Sequence, residues 1–223
     1  NTSAVIDYKD GGTVPSYNAA THQVDESSTK YYGKFIYSTG SGAANGDYDW
    51  YYNSGSHDNY LWGSSTVTGT NLSSLTFTWD KPSNNPCPSG WRIPSSYNFG
   101  NLYRKSNSPT SDPSTPYDAN NVNNNNTWAW RAMNTANYAI GGVIITATNA
   151  IGEEEKLFLP ASGYRYYSNG ALDYAGTNGY YCSSTYYSTT NASFMRFYSS
   201  NVFSGSYNSR KAIGFSVRCV AEF

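Results

Sequence analysis

The chain is poor in charge. Only 13% of its 223 residues are Asp, Glu, Lys or Arg, against about 25% in an average soluble domain. A net charge of −1 and a pI near 6.1 leave no basic patch for a phosphate backbone, so nucleic acid is not an expected partner. Nothing steers the chain to an anionic membrane either. No apolar run approaches the roughly 18 residues of a membrane span. The longest, 139–147, is broken by Gly141-Gly142, so direct membrane insertion is not expected. Histidine is nearly missing: His22 and His57 stand in polar loops without an HxH or HExxH spacing, which argues against a zinc site. The patterns GxSxG, GxGxxG and the P-loop are absent. The sequence opens on Asn1 rather than Met, and we expect a mature form from which a signal segment was removed.

Cysteine is scarce and odd in number: Cys87, Cys182 and Cys219 allow at most one internal bridge. Cys87–Cys219 is the favoured pair, because each lies beside an ordered-looking element and the bridge would tie the middle of the chain to its end. Closing so long a loop stabilises by about 4–5 kcal/mol on the chain-entropy model. All three thiols reduced is the alternative. Cys182 sits in a Tyr/Ser-rich stretch and is expected to be a free thiol.

What the sequence has instead is tyrosine, 23 residues of it, with a mean hydropathy of −0.61. Polarity carried by uncharged groups argues for an extracellular β-rich protein rather than a cytosolic enzyme. The length suits one large domain, 1–223, with a real core. No period of 20–50 residues marks a solenoid or propeller.

Along the chain, Ala4-Val5-Ile6 and Tyr31 to Tyr37 read as strands, as do Tyr60 to Gly63 and Leu75 to Trp79. Residues 85–94 (NPCPSGWRIP) hold three prolines and a glycine, which forbid a helix and predict a rigid extended loop with Trp91 and Ile93 turned inward. Trp62, Trp79 and Trp91 are the expected aromatic core. Ser95 or Ser96 can cap a helix over about 95–105, with Phe99, Leu102 and Tyr103 at helical spacing. Residues 106–127 form a long polar loop. Trp128 to Met133 is a helical turn or an edge strand. Ile140 to Thr148 is β-branched and reads as a strand, paired back on Lys156 to Leu159 as a hairpin with Glu153-Glu154-Glu155 as its solvated tip.

The last quarter, Leu159 to Cys219, is different. Its ends read as core strands: Leu157-Phe158-Leu159 is apolar, and Ile213, Phe215, Val217 and Cys219 alternate with Gly214, Ser216 and Arg218. Between them, Tyr, Ser, Asn, Gly and Thr crowd together. Such a segment cannot build its own core, but its residue types are those that binding surfaces favour, rigid amphipathic rings separated by small adaptable polar groups. The expected ligand-binding residues are Tyr164, Tyr166, Tyr167, Asn169, Asp173, Tyr174, Asn178, Tyr186, Tyr187, Thr189, Asn191, Phe194, Arg196, Tyr198, Phe203, Tyr207 and Asn208. Tyr180, Tyr181, Phe197 and Phe215 are expected to pack inside. A loop-heavy extracellular domain with no dedicated site is the alternative. Host or bacterial surface proteins and glycans both suit such a face.

No catalytic constellation emerges. Ser183-Ser184-Thr185 has no neighbouring histidine, and Cys182 lacks a local base or a CxxC partner. No cofactor is expected. Asp47, Asp49 and Asp58 could supply oxygen ligands to Ca2+, with solvated loop acids as the competing reading. A structural filament subunit, assembling through exposed strands, is the third functional class.

Four ordered motifs carry a family resemblance: Asn85-Pro86-Cys87-Pro88-Ser89-Gly90-Trp91-Arg92-Ile93-Pro94, Leu159-Pro160-Ala161-Ser162-Gly163-Tyr164-Arg165, Gly179-Tyr180-Tyr181-Cys182-Ser183-Ser184-Thr185 and Gly214-Phe215-Ser216-Val217-Arg218-Cys219-Val220. From about Tyr60 to Val220 the chain resembles the Fibrobacter succinogenes major paralogous domain, common in surface proteins of gut Bacteroidetes. That family usually has Trp where Cys182 stands, which implies a variable, non-packing side chain at a position normally aromatic and structural. The resemblance implies an α+β, C-type-lectin-like fold of mixed and antiparallel sheets with few short helices and long loops. It is also similar in fold to the formylglycine-generating enzyme, whose activity needs a redox-active cysteine pair that three cysteines with one structural bridge do not leave. C-type-lectin folds are the usual targets of diversity-generating retroelements, and residues 164–208 are written almost wholly in the alphabet that adenine mutagenesis of AAC codons yields. The implied protein is a retroelement-diversified adhesin, a monomeric domain of a larger assembly on a cell surface, pilus tip or phage tail.

Overall fold

β-branched and aromatic residues dominate the ordered segments, and they form strands. The computed structural model describes residues 5–7, 17–18, 23–24, 35–37, 86–102, 126–134, 136, 140–149, 151–187 and 191–221. In chain order these hold β1 (Val5–Asp7), β2 (Tyr17–Asn18), β3 (Gln23–Val24), β4 (Phe35–Tyr37), β5 (Trp91–Arg92), α1 (Ser96–Leu102) and β6 (Thr127–Arg131). Then follow β7 (Gly142–Thr148), β8 (Glu154–Pro160), β9 (Tyr164–Arg165), β10 (Leu172–Asp173), β11 (Asn178–Tyr186), β12 (Asn191–Tyr198), β13 (Asn201–Arg210) and β14 (Val220–Ala221). The protein is β-rich in several antiparallel sheets, with helix confined to α1 among the described residues; β1 and β4 pair in parallel. Trp62, Trp79, His22, His57, Asp47, Asp49, Asp58 and the strands expected at Tyr60 and Leu75 lie outside the described residues.

Two three-stranded antiparallel meanders build the core. In the first, β6-β7-β8, the expected hairpin is present, with Ile145 opposite Leu157 and Val143 opposite Leu159. Asn149 shapes its turn: the side-chain Oδ1 accepts from Ile151 N at 3.1 Å and from Glu153 N at 2.9 Å. Glu153, Glu154 and Glu155 are exposed as expected, and the Lys156–Glu154 pair at 3.7 Å is a surface contact. Residues 127–131 form an edge strand. Trp128 and Trp130, at positions of one parity, face Ile145 and Val143.

The second meander is β11-β12-β13. One of its faces places Tyr181, Met195, Phe197 and Val202 against Phe99, Val143, Ile145, Leu159 and Ala161 as one buried cluster. Gly179 lies opposite Phe197, and a Cβ there would come within 2.1 Å of the Phe197 ring. Glycine is therefore required for the ring to lie across the strand.

Helix α1 starts where Ser95 caps it. Ser95 Oγ accepts from Asn98 N at 3.2 Å while Asn98 Oδ1 accepts from Ser95 N at 2.9 Å, a reciprocal capping pair. Phe99 enters the core. Leu102 O accepts from Trp128 Nε1 at 2.9 Å, which satisfies a carbonyl of the last turn. Ser96 N donates to Thr185 Oγ1 at 2.9 Å and docks the helix on β11.

The Cys87–Cys219 disulfide is present, with Cα atoms 5.8 Å apart across a separation of 132 residues, and Cys182 is free. It staples the β5–β14 ladder. Three expectations need correction. Trp91 is 45% exposed rather than core: β5 is a two-residue strand paired with β14, and it is Arg92 that turns back, donating to Asn98 Oδ1 at 3.0 Å. The closing segment 213–219 is not a regular half-buried strand; it is extended and held by single bridges, Gly214 with Arg165 and Ser216 with Tyr181, leaving Val217 exposed. Cys182 does pack, its Sγ donating to Phe215 O at 3.8 Å.

Candidate functional site

The second face of β11-β12-β13 is where the aromatic residues gather. Strand alternation and register fix which ones. Asn178 lies opposite Tyr198, Tyr180 opposite Arg196, and Cys182 opposite Phe194. Across the next ladder, Phe194 pairs with Tyr207, Arg196 with Phe203 and Tyr198 with Asn201. The register shift between Phe194 and Met195 adds two residues to β13, an even number, so Tyr207 stays on the same face as Phe203. Tyr164 from β9, Tyr174 from the turn after β10 and Phe215 from the closing segment close the set.

The rings interlock. Tyr180 stacks on Phe215 at 5.4 Å and meets Tyr164 edge-on at 4.8 Å. Phe194 lies 4.7 Å from Phe215 and 6.3 Å from Tyr207, and Phe203 lies 4.7 Å from Tyr207. Tyr180 and Phe194 are buried and form a floor with Phe215. Tyr164, Tyr198 and Phe203 are half-buried, and Tyr174 and Tyr207 stand out as a rim, 55% and 42% exposed.

Arg196 occupies the centre. Its guanidinium carbon lies 5.1 Å from the Tyr198 ring centroid, 5.5 Å from Tyr180 and 5.9 Å from Phe203, cation–π contacts on three sides. The Asn178 amide is assigned with its oxygen toward this cluster, where it accepts from Arg196 Nη2 at 3.2 Å and from Tyr180 OH at 3.3 Å. Arg196 Nε is buried without a partner, and so is Asn201 Oδ1, although Asn201 Nδ2 donates to Tyr198 OH. Among the described residues no carboxylate pairs with Arg196.

Burial raises the Tyr180 phenol, against the lowering effect of Arg196; burial and then the Asp173 charge push Tyr164 up to about 12. Both phenols are neutral hydrogen-bonding groups at ordinary pH. Tyr174 has φ +57°, the left-handed region that a bulky residue rarely enters. Its carbonyl accepts from Thr177 N at 3.1 Å and Asn178 N at 3.0 Å, so the turn that leads into β11 holds it there.

The expected binding residues therefore divide. Tyr164, Tyr174, Asn178, Phe194, Arg196, Tyr198, Phe203 and Tyr207 come together on the face, with Asp173 at its edge opposite Tyr164. Tyr187 is 46% exposed at the end of β11. Tyr166 and Tyr167 form a separate pair, with Arg210 4.6 Å over the Tyr167 ring. Asn169 caps its own turn, its Oδ1 accepting from Ala171 N at 2.9 Å. Asn191 Nδ2 donates to Asn208 Oδ1 at 2.8 Å, and both alternate onto the opposite face from Phe194 and Tyr207. The side chain of Tyr186 and all of Thr189 lie outside the described residues.

Tyr167, Asn178 and Phe194 are buried rather than displayed. Tyr167 is covered by Arg210, Asn178 is held among hydrogen bonds, and Phe194 is floor rather than rim. Conversely, Tyr180 and Phe215 belong beneath this face and not to the main core, whereas Tyr181 and Phe197 do pack inside. Asn201 belongs to this cluster, and sequence reasoning missed it. Its signal is position alone, the first residue after a tight turn, in register with Tyr198.

Among the described residues no group of three His, Cys, Asp or Glu side chains could hold a metal ion, and no helix is long and apolar enough to cross a membrane. A family model described as a domain of unknown function, DUF8237, matches residues 147–220. That span contains β11, β12 and β13 entire, and so nearly all of the aromatic face. No curated protein and no solved structure matches the chain.

Proposed function

We propose that the protein is a ligand-binding module that engages its target through the aromatic face of β11-β12-β13. The observation that carries this is the arrangement around Arg196: a half-buried cation ringed by Tyr180, Tyr198 and Phe203, with Tyr174 and Tyr207 exposed at the rim. Tyr, Trp and Arg are the residues in which binding hot spots are richest. A rigid sheet holds these side chains at low entropic cost. In this reading the chain is a C-type-lectin-like domain similar to the Fibrobacter succinogenes major paralogous domain, and it is not an enzyme. It is displayed outside the cell, on a surface, pilus tip or phage tail, and its partner is a surface protein or a glycan. Exposed residues such as Tyr174 and Tyr207 at the rim, and Tyr187 just past the end of β11, can vary with little consequence for the fold, which suits diversification by a retroelement. A near-identical template repeat beside the gene is the expected genomic mark, and its absence would remove the diversification claim alone.

The experiment is a binding screen of the purified chain on glycan and surface-protein arrays, with and without EDTA. The expected result is a defined set of targets whose signal falls at least tenfold in a Tyr174→Ala/Tyr207→Ala rim variant that keeps its melting temperature. Targets bound equally well by that variant would refute the face. EDTA sensitivity would bring Ca2+ and the Asp47, Asp49 and Asp58 loop into the binding reaction.

A further inference from the structure

We propose that the Arg196 centre is a subsite for an acidic sugar, its guanidinium taking the carboxylate of a uronic- or sialic-acid-type residue whose apolar ring face lies on the surrounding aromatics. This rests on the binding-face reading and names the ligand chemistry of that face.

Charge is the first argument. Arginines that only support a fold are commonly matched by a carboxylate or by backbone carbonyls. Among the described residues Arg196 has neither: its partners are three rings and one neutral amide. A cation in so apolar a setting attracts an anion more strongly than one in open water. Geometry is the second. The Asn178 amide holds Nη2 and fixes the plane of the guanidinium, while Nε is left as a buried donor without an acceptor. A carboxylate binds such a fork through two parallel N–H···O bonds, one of them to Nε.

Asn201 supplies the third argument. Its Oδ1 is a buried acceptor without a donor, and its Nδ2 is fixed on Tyr198, which itself stacks on Arg196. A ligand that satisfies both offers a carboxylate to the guanidinium and a hydroxyl or amide N–H to Asn201. Acidic sugars carry both on one rigid ring. They also present a C–H face, and the half-buried Tyr198 and Phe203 with the exposed Tyr207 offer flat apolar surface to receive it. An acidic peptide supplies the carboxylate without the rigid C–H face.

The test titrates the purified chain with sodium glucuronate and with N-acetylneuraminate, read by calorimetry and by NMR shifts. Glucose, the methyl ester of glucuronate and triglutamate serve as comparison probes. The expected result is saturable binding of at least one acidic sugar, at least tenfold weaker for its neutral counterpart, weakened by salt, and reduced at least tenfold in Arg196→Gln. The contrast of acid with ester on the unaltered chain needs no variant, so a poorly folded Arg196→Gln leaves the answer intact. Equal binding of acid and ester, no binding of either acid, or binding of triglutamate in their place would overturn the assignment. If array targets respond to the rim variant while Arg196→Gln binds them normally, the face stands and the acidic-sugar subsite falls. If nothing responds to either variant, both fall.

Discussion

Tyr180 and Tyr181 are neighbours in one strand and live in different worlds. Tyr181 points into the main core, stacks on Phe197 at 6.0 Å and donates its hydroxyl to Pro160 O at 2.9 Å. Tyr180 points to the other face, stacks on Phe215 and lies under Arg196. Both are buried. What separates the two faces is the company each keeps: aliphatic side chains of β7 and β8 on one, a cation, amides and other rings on the other. A tyrosine-rich strand can thus serve stability and recognition together, one parity for each.

The sharpest way to break this comparison is to cut adjacent residues of β12. Phe197→Ala empties a fully buried site and is expected to destabilise by about 3–5 kcal/mol. Arg196→Ala, one residue away, removes a half-buried side chain that serves no ion pair among the described residues and is expected to cost far less. Urea denaturation of the two variants measures the gap. Equal losses would show that the second face is as structural as the first.

Removing the bridge tests how far the faces depend on each other. The closing segment runs along β11, with Cys182 N donating to Ser216 O at 2.8 Å and Ser216 N to Tyr180 O at 3.0 Å, and it brings Phe215 to the floor of the aromatic face. The disulfide anchors its far end. The double change Cys87→Ser/Cys219→Ser should cost about 2–5 kcal/mol. Hydrogen exchange should rise first at Ser216 and Cys182 rather than at Val143 or Ile145. Uniform loosening of both meanders would contradict that order.

The strand hairpin β7–β8, its acidic tip and the capped helix were all legible, because β-branched runs, an Asn turn and a Ser cap act locally. The division of the tyrosines was not. In Asn178-Gly179-Tyr180-Tyr181-Cys182-Ser183, hydropathy does not alternate, so nothing in composition says which ring faces which way. Register decides it, and two register shifts, at Cys182/Tyr186 and Phe194/Met195, interrupt the pattern that would have revealed it. The same limit explains Trp91, where two residues of pairing with β14 outweigh the expectation from its size. It explains Phe194 too, whose letter fits a displayed face and whose neighbours make it a floor.

Alkaline titration compares the faces by chemistry. Burial pushes the Tyr181 phenol up to about 12 in the core and, on the second face, raises Tyr164 and the Cys182 thiol to about 12 as well. The folded chain keeps protons that the unfolded chain releases, so stability is fully present below about pH 9 and falls as pH rises toward 12. Cys182→Ser and Tyr181→Phe should each flatten part of that loss. A fall that neither variant changes would place its origin elsewhere.

The smallest expected effect is the most discriminating. Tyr207 is a rim residue, and its ring contacts Phe194 and Phe203 only along one side. Tyr207→Ala should alter stability by under about 0.5 kcal/mol, as at other surface positions. If the face is a binding surface, the same substitution should weaken target binding by about 1–2 kcal/mol, the cost of losing a contributing aromatic contact. The two numbers separate the roles because packing residues lose stability and binding together, and display residues lose binding alone. A fall in melting temperature of several degrees would move Tyr207 to the side of Tyr181, and the second face would then be a second core.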